Sequence, residues 1–163
     1  MARTCNLKEQ FTPIKKIFDH TYIISWDYKE AADSEYATWM FERFDEKPTL
    51  EQIKDLILEY YNKEVDNKIL YGFSWNDMPV WLSSENQFNY KAAYDLAVQT
   101  QGQSLPVTFK FGSKDEPIYH TFTDMEEFTQ FYVSAINFIN RTLEEGWVKK
   151  DNINWSNYSN IPE

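Results

Sequence analysis

Few residues in this sequence have the type and spacing that chemistry requires. His20 and His120 stand far apart, and neither lies in a His-x-x-x-His frame, so no set of metal ligands assembles from the pattern. His120 falls on a predicted strand between Tyr119 and Thr121 and reads as an ordinary strand residue. Cys5 is the lone cysteine and sits in a segment without clear periodicity. A nucleophilic thiol needs a nearby base and a lowered pKa, and nothing around Cys5 supplies them. Glu126-Glu127 and Glu144-Glu145 are paired carboxylates of the kind that share acid–base work in glycosidases. Asp+Glu total 26, however, so such pairs arise by chance. Glu126 is explained by helix capping, and Glu144-Glu145 falls on the polar face of a helix end. There is no Gly-x-Ser-x-Gly elbow and no Walker-type loop, and Gly 4 in the whole chain leaves little to cradle a phosphate. Catalytic residues, metal ligands and cofactors are all read as none, and the expectation is a protein that is not an enzyme.

The residues that stand out are aromatic. They form 18% of the chain, beside a polar mean hydropathy of -0.63. Large aromatic side chains build cores from few aliphatics, and Trp and Tyr also anchor binding surfaces. Trp26, Trp39, Trp75 and Trp81 all fall on predicted hairpin strands and are the candidate binding residues. On a solvent face, Trp75 and Trp81 would form a platform for a sugar ring or a peptide. Alternation puts Trp75 in phase with Tyr71 and Phe73, which favours the core for that face.

The elements that must position these residues repeat. Phe73-Ser-Trp75, a turn, Asp77-Met-Pro79-Val80-Trp81 and a helix start at Ser84 are matched by Phe109-Lys-Phe111, a turn, Asp115-Glu-Pro117-Ile118-Tyr119 and a helix start at Thr123. Upstream, residues 1–13 show no period and read as a tail or an edge segment. Thr21–Trp26 and Tyr36–Phe44 alternate as strands. Thr49 and Gln52 make a capping box for a helix reaching about Val65, with Leu50, Ile53, Ile57 and Tyr60 or Tyr61 as its apolar stripe. Ile69 to Trp75 then reads as a strand, and Asn76-Asp77 as a turn whose residues tolerate the left-handed conformation. Ser84 and Gln87 make a second capping box, for a helix presenting Phe88, Ala92, Ala93 and Leu96 to the core and ended by Gly102. Leu105 to Phe111, a turn at 112–116, and Pro117 to Phe122 form the last hairpin. Thr123 and Glu126 cap a final helix striped by Met125, Phe128, Tyr132, Ala135, Ile139 and Leu143, and stopped by Gly146.

The order is hairpin–helix three times: residues 14–65, 66–102 and 103–155, with a frayed end at 156–163. A hairpin and a helix cannot bury both their apolar faces alone, so the units must pack on one another. The expectation is one α+β domain over 1–163, with antiparallel sheet and helices on one side. The formal net charge of -10 opposes nucleic-acid binding, which rests on neutralising phosphates with Lys and Arg. No run is apolar enough for a membrane span, no apolar leader opens the chain, and one cysteine fits a reducing compartment.

Tyr71-Gly-Phe-x-Trp75-Asn-Asp-x-Pro-Val-Trp-Leu-Ser, Ser84-Glu-Asn-Gln-Phe-Asn89, Leu105-Pro-Val-Thr-Phe109, and Gly146-Trp147 to Ile153-Asn-Trp155 resemble a phage- and prophage-associated domain of unknown function. That domain is found in tail-fibre-assembly-type proteins. The likeness covers about residues 66–155, and Asn76-Asp77 replaces the family's usual turn glycine. The resemblance implies a non-enzymatic structural or tail-assembly accessory protein. It also implies partners among phage tail or fibre proteins, and a location in the host cytoplasm or the virion. It transfers no catalytic residue. A carbohydrate-recognition module using the aromatic hairpin faces is the alternative, and it requires at least two of the four hairpin tryptophans to be exposed.

Overall fold

The computed structural model of the chain describes residues 1–113 and 115–163. Lys114, within the turn expected at 112–116, lies outside the described residues. The fold is α+β with antiparallel strands. The chain divides into two compact units, Met1–Tyr60 with Asn152–Glu163, and Tyr61–Asp151.

In the first unit, β1 (Ala2–Leu7), β2 (Ile14–Phe18), β3 (Thr21–Glu30) and β4 (Tyr36–Phe44) form one sheet in the order β1-β4-β3-β2. Of the two readings of residues 1–13, the edge segment holds for residues 2–7, which form an edge strand and not a tail. They pair with β4, from Ala2 opposite Phe41 to Leu7 opposite Tyr36. Alternation along β3 buries Tyr22, Ile24 and Trp26. Helix α1 (Leu50–Tyr71) supplies Ile53, Ile57 and Tyr60 to the same core, with Tyr60 edge-on to Trp26 at 5.7 Å between ring centroids. The Thr49–Gln52 capping box forms as expected. The Thr49 N–H donates to Gln52 Oε1 at 2.7 Å, and the Gln52 N–H to Thr49 Oγ1 at 3.2 Å. On the other face of the sheet, Phe11 meets Tyr28 at 4.8 Å and Trp39 at 5.5 Å.

The C-terminal residues are not frayed. Trp155–Tyr158 is a 3-10 turn capped by Asn154, and Tyr158 is buried, its hydroxyl donating to the Ser25 carbonyl at 2.8 Å. Burial pushes its phenol up to about 12. Tyr22 Oη donates to the Pro162 carbonyl at 3.2 Å. The sequence hides this because short polar segments carry no period.

In the second unit, hairpin β5 (Phe73–Trp75) and β6 (Met78–Val80) precedes α2 (Ser84–Gln99). Hairpin β7 (Val107–Gly112) and β8 (Pro117–Phe122) precedes α3 (Met125–Asp151). Each hairpin is its own two-stranded sheet, so the strands among the described residues fall into three sheets. The core is aromatic. Phe122 packs at 5.0 Å from both Phe128 and Phe131, and Tyr90 stands edge-on to Phe131 at 5.2 Å.

Five local expectations are corrected. α1 runs on through Ile69 and Tyr71, so the strand begins at Phe73; the alternation at 69–71 belongs to a helix end. The α2 cap is Ser83, which accepts from the Asn86 N–H, while Gln87 reaches the Leu82 carbonyl. Phe88 and Leu96 face outward, at 70% and 51% exposure, because Tyr90 and Ala97 set the buried stripe. The α3 cap contact runs from the Glu127 N–H to Asp124 Oδ1, not through Thr123 and Glu126. Gly146 lies inside α3, not at its end. A Cβ there would collide with the Val65 side chain, so the glycine permits close approach between helices.

Candidate functional site

The four hairpin tryptophans part company. Trp26 and Trp39 are buried, at 2% and 5% exposure. Trp75 is half-buried and stands edge-on to Phe131 at 5.6 Å. Trp81 alone of the four is exposed, at 46%. The carbohydrate reading needed two such residues, and it finds one. The register explains the split. Trp75 opposes Met78 on the hairpin, whereas Trp81 lies just past the last ladder pair, Phe73 opposite Val80.

What positions Trp81 is a chain reversal. α1 ends where the Gly72 N–H donates to the Lys68 carbonyl at 2.8 Å. The hairpin then turns through Asn76 (φ 48) and Asp77 (φ 62), consecutive left-handed residues as a two-residue hairpin turn demands. The returning strand is tied to the helix end by the Leu82 N–H, which donates to the Leu70 carbonyl at 3.2 Å. Leu82 is buried and acts as the anchor. This brings Tyr71 to the side of Trp81, with ring centroids 5.9 Å apart and planes tilted by 43°. Tyr71 is itself 59% exposed. Its part in the site was hidden by its assignment to a strand; its place one turn after Lys68 on α1 is what points it toward Trp81.

The first turn of α2 holds the backbone beneath the pair. Asn86 Nδ2 donates to the Trp81 carbonyl at 2.9 Å, and Gln87 Nε2 to the Leu82 carbonyl at 2.7 Å. The floor and walls are completed by Pro79, Val80, Gly112 and Ser113, giving a cavity of about 210 Å³ with no charged side chain among the described residues of its lining. Gly112 has φ 81, a conformation that glycine adopts without strain, and a Cβ there would collide with the Glu116 carbonyl. The Tyr71 hydroxyl and the Trp81 indole N–H make no hydrogen bond to the described residues. Ser113 Oγ accepts from the Glu116 N–H at 3.0 Å and keeps its own proton to donate.

Two polar clusters lie elsewhere. His120 Nε2 is 2.9 Å from Glu127 Oε1, and its ring stacks on Phe111 at 5.8 Å. In the first unit, Asp27 sits at a β-bulge with φ 51 and is ringed by Arg3, Lys29 at 2.9 Å and the Tyr60 hydroxyl at 2.8 Å. Burial works to raise its carboxyl, but the donors from Lys29, Arg3 and Tyr60 outweigh it and hold the group below the usual carboxylate range. The paired carboxylates are engaged apart from one another: Glu145 binds Lys68 at 2.6 Å, and Glu126 accepts from Gln130 at 3.4 Å. Among the described residues no group of three or more His, Cys, Asp or Glu is placed to hold a metal ion. No helix among them is long and apolar enough to cross a membrane.

Searches of protein-family models, of curated proteins and of solved structures find no match to the chain.

Proposed function

We propose that the protein is a phage or prophage structural or tail-assembly accessory protein that acts through protein–protein contacts, without catalysis, in the cytoplasm of a bacterial host or in the virion. The observation that carries the reading is the exposed Tyr71–Trp81 pair over a largely apolar groove of described residues. It is built by the stretch from Tyr71 to Ser83 that bears the resemblance to the tail-fibre-assembly domain. Exposed Trp and Tyr at the centre of an apolar patch are the usual anchors of protein interfaces. We also read the chain as three hairpin–helix units, supported by the strand–turn–strand order ahead of each of α1, α2 and α3.

The test is mass spectrometry of particles purified after inducing the host, alongside affinity capture from the same lysate. Recovery at stoichiometric level in particles identifies a virion component. Capture of a tail or fibre product from lysate alone identifies an assembly factor. Recovery with neither overturns the reading.

A further inference from the structure

The first unit carries a recess of its own. β1 and β2 are the opposite edges of its sheet, so the connection at residues 8–13 has to cross from one to the other. It crosses the face away from α1, where Phe11 packs on Tyr28 and Trp39. Between this crossing and the strands lies a cavity of about 550 Å³, within the roughly 300–1,000 Å³ of small-molecule sites. The described residues of its lining all belong to the first unit.

Ser25 lies on its floor, at 3% exposure. Alternation sends its side chain to the face opposite Ile24 and Trp26, beside its ladder partner Phe41. Its backbone is fully used: the N–H donates to the Pro13 carbonyl at 2.8 Å, and the carbonyl accepts from Tyr158. Its hydroxyl makes no hydrogen bond to the described residues, although a buried hydroxyl without a partner costs free energy. The polar groups around it are neutral and can both donate and accept. Thr4 Oγ1 accepts from Asn6 Nδ2 at 2.8 Å, which leaves the Thr4 proton to donate and Asn6 Oδ1 to accept. The side chains of Gln10 and Thr12, on the crossing, make no hydrogen bond to the described residues. Glu9 and Lys15 are the charged residues of the described lining, and their charges cancel.

These groups select the occupant. A sugar hydroxyl donates and accepts at once, as hydroxyl and amide side chains do. A phosphate would meet one lysine set against one glutamate. An added peptide strand would find a sheet face whose backbone is already paired, not an edge. A nucleobase needs a free aromatic face, and Trp39, at 5% exposure, is closed over by Phe11. Phe41 is half-buried, makes no ring contact with the described residues, and can take the C–H face of a sugar. We propose that this recess binds a neutral mono- or disaccharide, with sugar hydroxyls on Ser25, Asn6 and Gln10 and the C–H face of a sugar ring on Phe41. It grips by hydrogen bonds and needs no tryptophan platform. It goes beyond the tail-assembly reading and does not rest on it.

The test is amide chemical-shift mapping of the isotope-labelled full chain, titrated separately with methyl α-glucoside, methyl α-mannoside, methyl β-galactoside and N-acetylglucosamine, with glycerol as the control. At least one sugar should give saturable shifts centred on β1, β3, β4 and the crossing at residues 8–13. Ser25→Ala and Gln10→Ala should each weaken that sugar about fivefold, the scale of one lost hydrogen bond. Ser25→Ala should leave the urea midpoint of the free protein unchanged or higher, because it removes a buried hydroxyl that has no partner. No saturable shift with any of the four sugars, an equal response to glycerol, shifts centred elsewhere, or binding indifferent to both substitutions would overturn the proposal. So would a lower midpoint for Ser25→Ala, which would make the hydroxyl part of the fold. Tighter binding of inorganic phosphate or of trialanine at the same residues would also overturn it, reassigning the recess to an anion or a peptide.

Discussion

Asp27 shows how a single residue can carry a pH dependence. Its carboxylate is nearly enclosed and bonded to Arg3, Lys29 and Tyr60, and its folded pKa lies below the unfolded value near 3.9. A depressed carboxylate contributes stability that is complete above the unfolded pKa and lost as pH falls through the folded one. Asn tolerates the same left-handed backbone, so Asp27→Asn removes the charge while keeping the bulge. At pH 7 the substitution should cost about 2 kcal/mol, the scale of a hydrogen bond to a charged group lost from a buried site. Urea unfolding at pH 7 and pH 3 tests this: the gap between wild type and variant should narrow at the lower pH, and a constant gap would rule the account out. Neither Arg3 nor Tyr60 could be paired with Asp27 from the sequence, since register across the sheet and the bulge after Trp26 decide who meets. The tryptophans were legible as a set and not one by one. A second residue-scale expectation follows from their exposure: iodide should quench mainly Trp81 and Trp147, at 46% and 54% exposure, and the double replacement Trp81→Phe with Trp147→Phe should remove most of the accessible emission.

At the scale of elements, helix caps separate what pattern predicts from what geometry selects. All three helix starts were legible because a polar capping residue precedes each apolar stripe. Which of two adjacent polar residues caps was not, since Ser83 and Ser84 have equal propensity and only the entry angle of the chain distinguishes them. Ser83→Ala should therefore destabilise the fold by about 1 kcal/mol, and Ser84→Ala by a few tenths, measured as shifts in the urea midpoint. The reverse order would move the cap back to Ser84. The phase of α2 was misread for a related reason. Phe88 and Leu96 are its most apolar residues, but Tyr90, Ala93 and Ala97 meet the aromatic core. Where a core is built from rings, small and amphipathic residues fill the helix face beneath them, and hydrophobicity alone gives the wrong stripe. The same logic hides Gly146, whose missing side chain matters only because Val65 lies against it. Gly146→Ala should cost about 1–3 kcal/mol through overpacking, in contrast to the gain expected for an exposed helical glycine.

At the scale of the molecule, the α+β class and the antiparallel strands were legible, because alternation and helical periodicity are local signals. The division of the chain into two units was not, because it cuts within α1, between Tyr60 and Tyr61, and groups the last twelve residues with the first strands. Specific contacts tie these residues to the first unit. Tyr158 reaches the Ser25 carbonyl, Pro162 accepts from Tyr22, and Lys47 pairs with Glu163 at 2.7 Å. The ion pair is exposed and contributes little, whereas the Tyr158 hydrogen bond is buried. Tyr158→Phe leaves a buried carbonyl without this donor and should cost about 1–2 kcal/mol. The cost should be felt where the bond is made. Hydrogen exchange should accelerate at the amides of β2, β3 and β4 while β7, β8 and α3 keep their protection, since local openings follow the contacts that hold each region. Loss of protection spread evenly over both sets of strands would show instead that the two units open as one cooperative body, and that the C-terminal residues stabilise the whole chain.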